Sequence, residues 1–273
     1  WIHMDTVPLK VHVEDIEGHA NRQFYAASAY WFWVKRQRWE LDTLLVFRHM
    51  LDRDTVAVDF GSWIGPTVLY AAAFAGEVWG LEADPVAYGE MVRNVAANAG
   101  GSNNMTTDNI HLRHICIDSV PGVRTFGSLT GQGDSMSSLL WQKGTHAKGD
   151  MAKHASPEYA KHQWHVPCVD LPSLIHRQGI YPQAPPAPHV VPRPGGDPAA
   201  AARVTALLEG EQGGLETCRP HGWAPSKLFV KIDIEGGEML IMPGLAEWLV
   251  GAQATVLLSV HVQHVQNHRE GGY

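Results

Sequence analysis

The chain has no CxxC pair. Its three cysteines, Cys116, Cys168 and Cys218, are an odd and scattered set among 273 residues. That usage supports neither a zinc knuckle nor a disulfide framework, and it suits a reducing compartment. Long apolar runs are also missing. The best, over 68–75, stops at Gly76-Glu77, well short of the roughly 20 residues a membrane span needs. No basic-then-apolar leader opens the sequence. Charge is sparse: Asp, Glu, Lys and Arg make up 18%, with a formal net charge of −7. This balance argues against nucleic acid or an anionic membrane as the main partner. The one basic cluster, Lys35, Arg36 and Arg38, sits among Trp31, Trp33 and Trp39 and reads as an amphipathic helix face. A cytoplasmic location is the expectation that follows. The opening residue is Trp1 and not Met, which points to a fragment.

What remains is the composition of a globular protein, 45% hydrophobic, of a size for one domain over 1–273 carrying a sizeable insertion. Helical periodicity over 26–50, with Trp31, Val34, Leu41, Leu44, Leu45 and Phe47 able to share faces, predicts a helical N-terminal region over 1–50. Residues 56–60 form a short apolar run ending in glycine, the pattern of a buried strand. Pro66 opens a helix reaching about residue 75. A second strand covers 78–82, a helix after Pro85 runs to about 99, and a third strand covers 111–117. Strand and helix alternate, which predicts an α/β, Rossmann-like, doubly wound and mainly parallel sheet.

The rhythm breaks over 119–227, an insertion or cover region. Residues 119–165 read as a hairpin or irregular cover, 166–169 as a strand, 171–178 as a short helix and 199–209 as a modest one. Between 181 and 198 stand seven prolines, so that stretch is expected to be solvated and not core, and 181–225 to be flexible. Strands resume at 228–232 and 255–260. The two halves make one sheet interrupted by a long excursion.

The most informative stretch is Asp59-Phe60-Gly61-Ser62-Trp63-Ile64-Gly65. A strand ending in D-x-G-x-x-x-G and feeding a helix brings backbone close to a ligand. Gly61 permits the tight turn and Gly65 the close packing at the helix start. A pyrophosphate loop would more usually be G-x-G-x-x-G, which is absent. Asp59 is better explained as an acceptor for a cationic ligand, such as the amino group of S-adenosylmethionine (SAM). Glu82, with Ala83 beside it, closes the second strand, where a carboxylate can accept both hydroxyls of a ribose. An NAD enzyme would also place an acid there, so the glycine spacing makes the distinction and favours SAM.

Together with Leu81-Glu82-Ala83-Asp84-Pro85 and the run Lys231-Ile232-Asp233-Ile234-Glu235-Gly236-Gly237-Glu238, this motif resembles the FkbM family of SAM-dependent methyltransferases. In that family the last run reads K-I-D-x-E-G-x-E and follows a segment like Val166-Pro167-Cys168-Val169-Asp170-Leu171-Pro172. The resemblance covers roughly 39–261, with the proline-rich excursion unmatched. It implies the Rossmann-like class I methyltransferase fold and SAM as cofactor. The family commonly has Ala-Asn where this chain has Ser62-Trp63. Its fold usually ends with two further strands, so a C-terminal piece is expected beyond Tyr273.

Ligands in open α/β sheets sit beyond the carboxyl ends of the strands. Asp233 lies there, with Glu235 and Glu238 just beyond and His261 at the tip of the next strand. Methyl transfer needs an aligned acceptor and, for a hydroxyl, a base. Asp233 is the first candidate for positioning or base work, His261 the alternative base, and Glu235 completes the catalytic set. Glu238 reads equally well as a helix N-terminus. A divalent metal at Asp233, Glu235 and His261 is a possible but less favoured reading, and the run His261, His264, His268 a weaker one. Asp118 is placed to accept the adenine amino group beside Ile117, and Asp134-Ser135-Met136-Ser137-Ser138-Leu139 to cover the cofactor. The cofactor set is thus Asp59, Gly61, Ser62, Trp63, Gly65, Glu82, Ala83 and Asp118. The leading reading is O-methylation of a hydroxyl on a small molecule or glycan. Against it stand an inactive SAM-fold interaction protein and, less favoured, an NAD-dependent oxidoreductase.

Overall fold

The computed structural model describes residues 2–11, 30, 31, 33–36, 39–100, 107–128, 132, 133, 135, 137, 162–187, 204, 223–235 and 237–260. In chain order they form β1 (Ile2–Met4), β2 (Val7–Leu9), α1 (Leu41–Met50), β3 (Thr55–Phe60), α2 (Pro66–Ala72), β4 (Glu77–Glu82), α3 (Pro85–Asn98) and β5 (Ile110–His114). There follow β6 (Cys116–Ile117), β7 (Gly122–Gly127), β8 (Gln163–Val169), α4 (Leu171–Arg177), β9 (Lys227–Ile232), α5 (Glu238–Gly251) and β10 (Thr255–Leu258).

Five parallel strands in the order β10-β9-β3-β4-β5 make the central sheet. The chain winds outward from β3 to β5, returns to the other side at β9 and continues to β10. This is a doubly wound, Rossmann-like α/β fold, and its order reverses between β3 and β9. Both β3 and β4 are buried along their whole length, as strands covered on two faces must be. Val56, Val58, Phe60, Trp79, Leu81, Leu228, Val230 and Ile232 pack on one face with α4 and α5. Ala57, Val78 and Phe229 pack on the other with α1, α2 and α3. The helices start where the sequence says. Pro66 and Pro85 occupy first-turn positions, and the Asp84 side chain accepts the Val86 and Ala87 N–H groups.

Four expectations need correction. The N-terminal region begins with the β1–β2 hairpin, and the periodic stretch 26–50 is not one helix. Its chain turns at Glu40, left-handed at φ 39°, before α1 begins. Within the first part Trp31 and Val34 are buried while Trp33, Lys35 and Arg36 are exposed, an amphipathic face as expected. The stretch 111–117 divides after His114: β5 stays in the central sheet, while β6 joins a separate three-stranded sheet, β6-β8-β7. Within the insertion β7 pairs antiparallel with β8, which is the strand expected at 166–169 begun three residues earlier. The start of the proline-rich stretch is partly core, because Tyr181 is buried with its hydroxyl on the Ser226 carbonyl, and Trp248 Nε1 donates to Pro185 O. The rest of that stretch and the helix expected at 199–209 lie outside the described residues, Val204 apart.

The cysteines are the fourth correction. Cys116 and Cys168 face each other in the parallel β6–β8 register and form a disulfide across a sequence separation of 52. Spacing along the chain could not reveal this, because strand register brings the pair together. The case for a reducing compartment rested on unpaired cysteines and loses its ground. Closing a loop of that size removes chain entropy equivalent to about 4 kcal/mol in the loop-entropy account. Thiol titration of the denatured, unreduced chain should find Cys218 alone, and all three cysteines after reduction. Three thiols before reduction would remove the bridge.

Candidate functional site

The exit of β3 builds the site. Phe60 O accepts from Asp233 N at 3.2 Å, and Leu81 O accepts from the N–H groups of Gly61 and Ser62, both at 3.2 Å. The three strand ends are thereby drawn together. Gly61 sits at φ +73°, and a Cβ there would lie 1.9 Å from Asp233 O. Only glycine allows that approach. Gly65, at φ +88°, starts α2, with its missing Cβ aimed at Met91 Cγ. Asn94 Nδ2 donates to Ile64 O at 2.9 Å and holds the loop down on α3.

A cleft open to solvent lies over these strand ends. Gly61, Trp63, Glu82, Ala83, Asp233 and Glu235 line it, so six of the sequence-derived residues meet at one place. Ser135 and Ser137, from the segment expected to cover the cofactor, line it too. Their neighbourhood is tied down by Asp84, whose Oδ2 accepts from Gly133 N at 2.7 Å and Ser137 Oγ at 3.2 Å. Trp63 Nε1 closes the loop by donating to Gly133 O.

Glu82 is buried, and its two oxygens accept from Trp63 N and Asp84 N, each at 2.7 Å. Burial, opposed by these backbone donors, pushes its carboxyl up to about 7. Asp59 takes another part. It is buried, pairs with Lys231 Nζ at 3.0 Å, accepts from the Thr67 hydroxyl, and does not line the cleft. The register sets this, since Asp59 and Lys231 are direct partners across β3 and β9. Lys231 Nζ also lies 3.5 Å from Asp233 Oδ2. Burial works against the ammonium, but the charges of Asp59 and Asp233 outweigh it and hold Lys231 above the ordinary lysine range.

The remaining expected residues are placed as follows. Ser62 is buried with its hydroxyl on Asp59 O. Asp118 is buried in an ion pair with Arg124. Glu238 Oε1 accepts from Ile234 N at 2.8 Å and belongs to the start of α5. His261, His264 and His268 lie outside the described residues. Among the described residues no group of three or more His, Cys, Asp or Glu could hold a metal ion, and no helix is long and apolar enough to cross a membrane. The sequence reading missed Phe126 and Cys116, which come to the cleft wall from the small sheet. It also gave Lys231 no role, although that residue stands in the K-I-D run.

No family model matches the chain, and no curated protein matches it in sequence. Among solved structures it is similar to Methyltransferase FkbM from Methylobacillus flagellatus KT, at 10% identity and TM-score 0.36, covering 92% of this chain and 48% of that one. It is also similar to an rRNA methylase from Streptococcus thermophilus, at 15% identity and TM-score 0.23, covering 28% of this chain and 38% of that one. The chain spans less than half the length of either.

Proposed function

We propose that this chain is a SAM-dependent methyltransferase that methylates a hydroxyl on a small molecule or glycan. One observation carries the reading: a buried carboxylate, Glu82, and a side-chain-free backbone turn, Gly61, face one cleft at the point where the strand order reverses. Open α/β sheets bind nucleotide-like ligands at such points. The residues fit the cofactor. Glu82 would accept the ribose hydroxyls, Gly61 leaves room for the ligand against the backbone, and Ile115 and Ile117 offer an apolar wall for the base. When bound, SAM supplies a sulfonium methyl group open to attack by a hydroxyl oxygen. Asp233 Oδ, in the cleft and steadied by Lys231, is the group to hold that hydroxyl and take its proton. Glu235, left-handed at φ 53° in the next turn, also lines the cleft and would help position the acceptor.

Calorimetric titration tests this directly. SAM should bind saturably and NAD⁺ should not. Glu82→Ala should weaken SAM by about 100-fold or more, two charge-assisted hydrogen bonds being worth roughly 1.5–3 kcal/mol each. The pH dependence has a defined sign. Ribose hydroxyls favour the ionised carboxylate, so binding at or below the free value of about 7 must expel a proton from Glu82. SAM affinity should therefore fall as pH drops through that value. Proton release, read from buffers of different ionisation enthalpy, should shrink in Glu82→Gln. A folded chain that does not bind SAM would sink the reading.

A further inference from the structure

Three buried polar residues stand behind the cleft wall. Thr67, Asp59 and Lys231 are each 3% exposed, and none of them lines the cleft. Their places in the chain bring them together. Ala57 and Asp59 along β3, like Phe229 and Lys231 along β9, are two residues apart, so their side chains leave the sheet on one side. On that side Ala57 and Phe229 pack with α2, and α2 carries Thr67 in its first turn. The Thr67 hydroxyl donates to Asp59 Oδ2, and Lys231 Nζ donates to Asp59 Oδ1 at 3.0 Å. Both oxygens of Asp59 are engaged, which fixes the plane of its carboxylate.

A lysine ammonium rides on a flexible four-carbon stem and takes its position from its partners. Asp59 confines Nζ of Lys231, which from there reaches Asp233 Oδ2 at 3.5 Å. Of the four residues Asp233 alone lines the cleft, with its side chain 22% exposed. Its main chain is held too, since its N–H donates to Phe60 O. What the backbone leaves open is the direction of the carboxylate, and the ammonium acts on that.

We propose that Thr67 and Asp59 are positioning residues acting through Lys231: they aim its ammonium, and the ammonium fixes how the Asp233 carboxylate meets the cleft. A group that must meet an acceptor hydroxyl along one line works best when its direction is set before the acceptor arrives. The use of Asp233 in methyl transfer rests on the methyltransferase reading; the relay itself does not.

The test labels the aspartate carboxyl carbons of the full chain with carbon-13 and follows them by NMR, each assigned through its own backbone. Thr67→Val keeps the shape of the side chain and removes the hydroxyl. It should shift the Asp59 signal, which loses a direct hydrogen bond, and with it the Asp233 signal, whose link to Thr67 runs through Lys231. Thr67→Ser restores a hydroxyl and should return both. Val68→Ala trims the next buried side chain of the same helix and should leave Asp233 in place, which separates aiming from loosened packing. A Thr67→Val chain in which Asp59 moves alone overturns the relay, and so does an equal shift of Asp233 in Val68→Ala. The parent chain supplies a second measurement that needs no substitution. With lysine labelled with nitrogen-15, one ammonium should hold its protons long enough to be seen and should correlate with the Asp59 carboxyl carbon; its absence overturns the proposal. Titration of the same samples with SAM keeps the two readings apart. A relay seen in a chain that binds no SAM stands and removes only the part of Asp233 in methyl transfer, whereas SAM binding without the relay leaves the cofactor reading intact.

Discussion

Gly61→Ala should lose SAM binding and melt roughly 4–20 °C below the parent chain. The added Cβ would lie 1.9 Å from Asp233 O and 3.0 Å from Asp233 C, and φ is +73°. The left-handed backbone alone costs an alanine about 1–2 kcal/mol, and relieving the clash a further ~1–3 kcal/mol. Neither partner can easily retreat. Gly61 N is bonded to Leu81 O and Asp233 N to Phe60 O, so separating them parts β3 from its neighbours. At about 2–4 °C per kcal/mol for a chain of this size, the melting shift follows. The control is Gly89→Ala. Gly89 lies inside α3, with the Arg93 guanidinium as its nearest neighbour at 3.9 Å. That substitution should stabilise by about 1 kcal/mol through helix propensity. A Gly61→Ala chain that melts with the parent would mean that the two strand exits do not approach each other.

Lys231→Met should cost about 3–5 kcal/mol, the usual effect of removing one partner of a buried pair. The side chains of Lys231 and Asp59 are each 4% exposed. The variant strands the Asp59 carboxylate among apolar neighbours with the Thr67 hydroxyl. Adding Asp59→Asn to it should recover much of the loss, since the double variant buries no unpaired charge; strict additivity would deny the coupling. The sign with pH follows. In the parent, Lys231 is held above its ordinary value of 10.5. Its contribution is complete below that value and is lost as pH rises through the raised one. In Lys231→Met the uncompensated Asp59 carboxyl is pushed upward, so the deficit should shrink toward acid pH and grow as pH rises through the new value. Urea denaturation at a series of pH values reads both effects.

Much of the sheet could be read from the chain because its signals are local. The apolar run ending at Phe60, the glycine turn and the helix-starting prolines Pro66 and Pro85 place β3, α2, β4 and α3 within a residue or two at most ends. Asp84 could be read as a helix start, and the K-I-D run as the end of a strand. The small sheet could not be read in that way. Its β6 looks like the continuation of β5, and the change of sheet after His114 leaves no mark in composition. Glu40 was hidden for a similar reason, since it interrupts a helical period that the apolar positions continue on both sides.

The order of strands and helices, the glycine turn and the alternation of faces were determined by the sequence, because each depends on the residue's own conformational freedom or its polarity against a fixed period. Only the tertiary structure decided which side chains are engaged. Asp59 was a plausible ligand group until the register set it opposite Lys231. Cys116 and Cys168 were unrelated until β6 and β8 paired. Tyr30 met Trp63 only once the chain had turned at Glu40 before α1. Such partnerships depend on distance in space, and distance in space follows from the packing of the whole sheet, which no local stretch encodes.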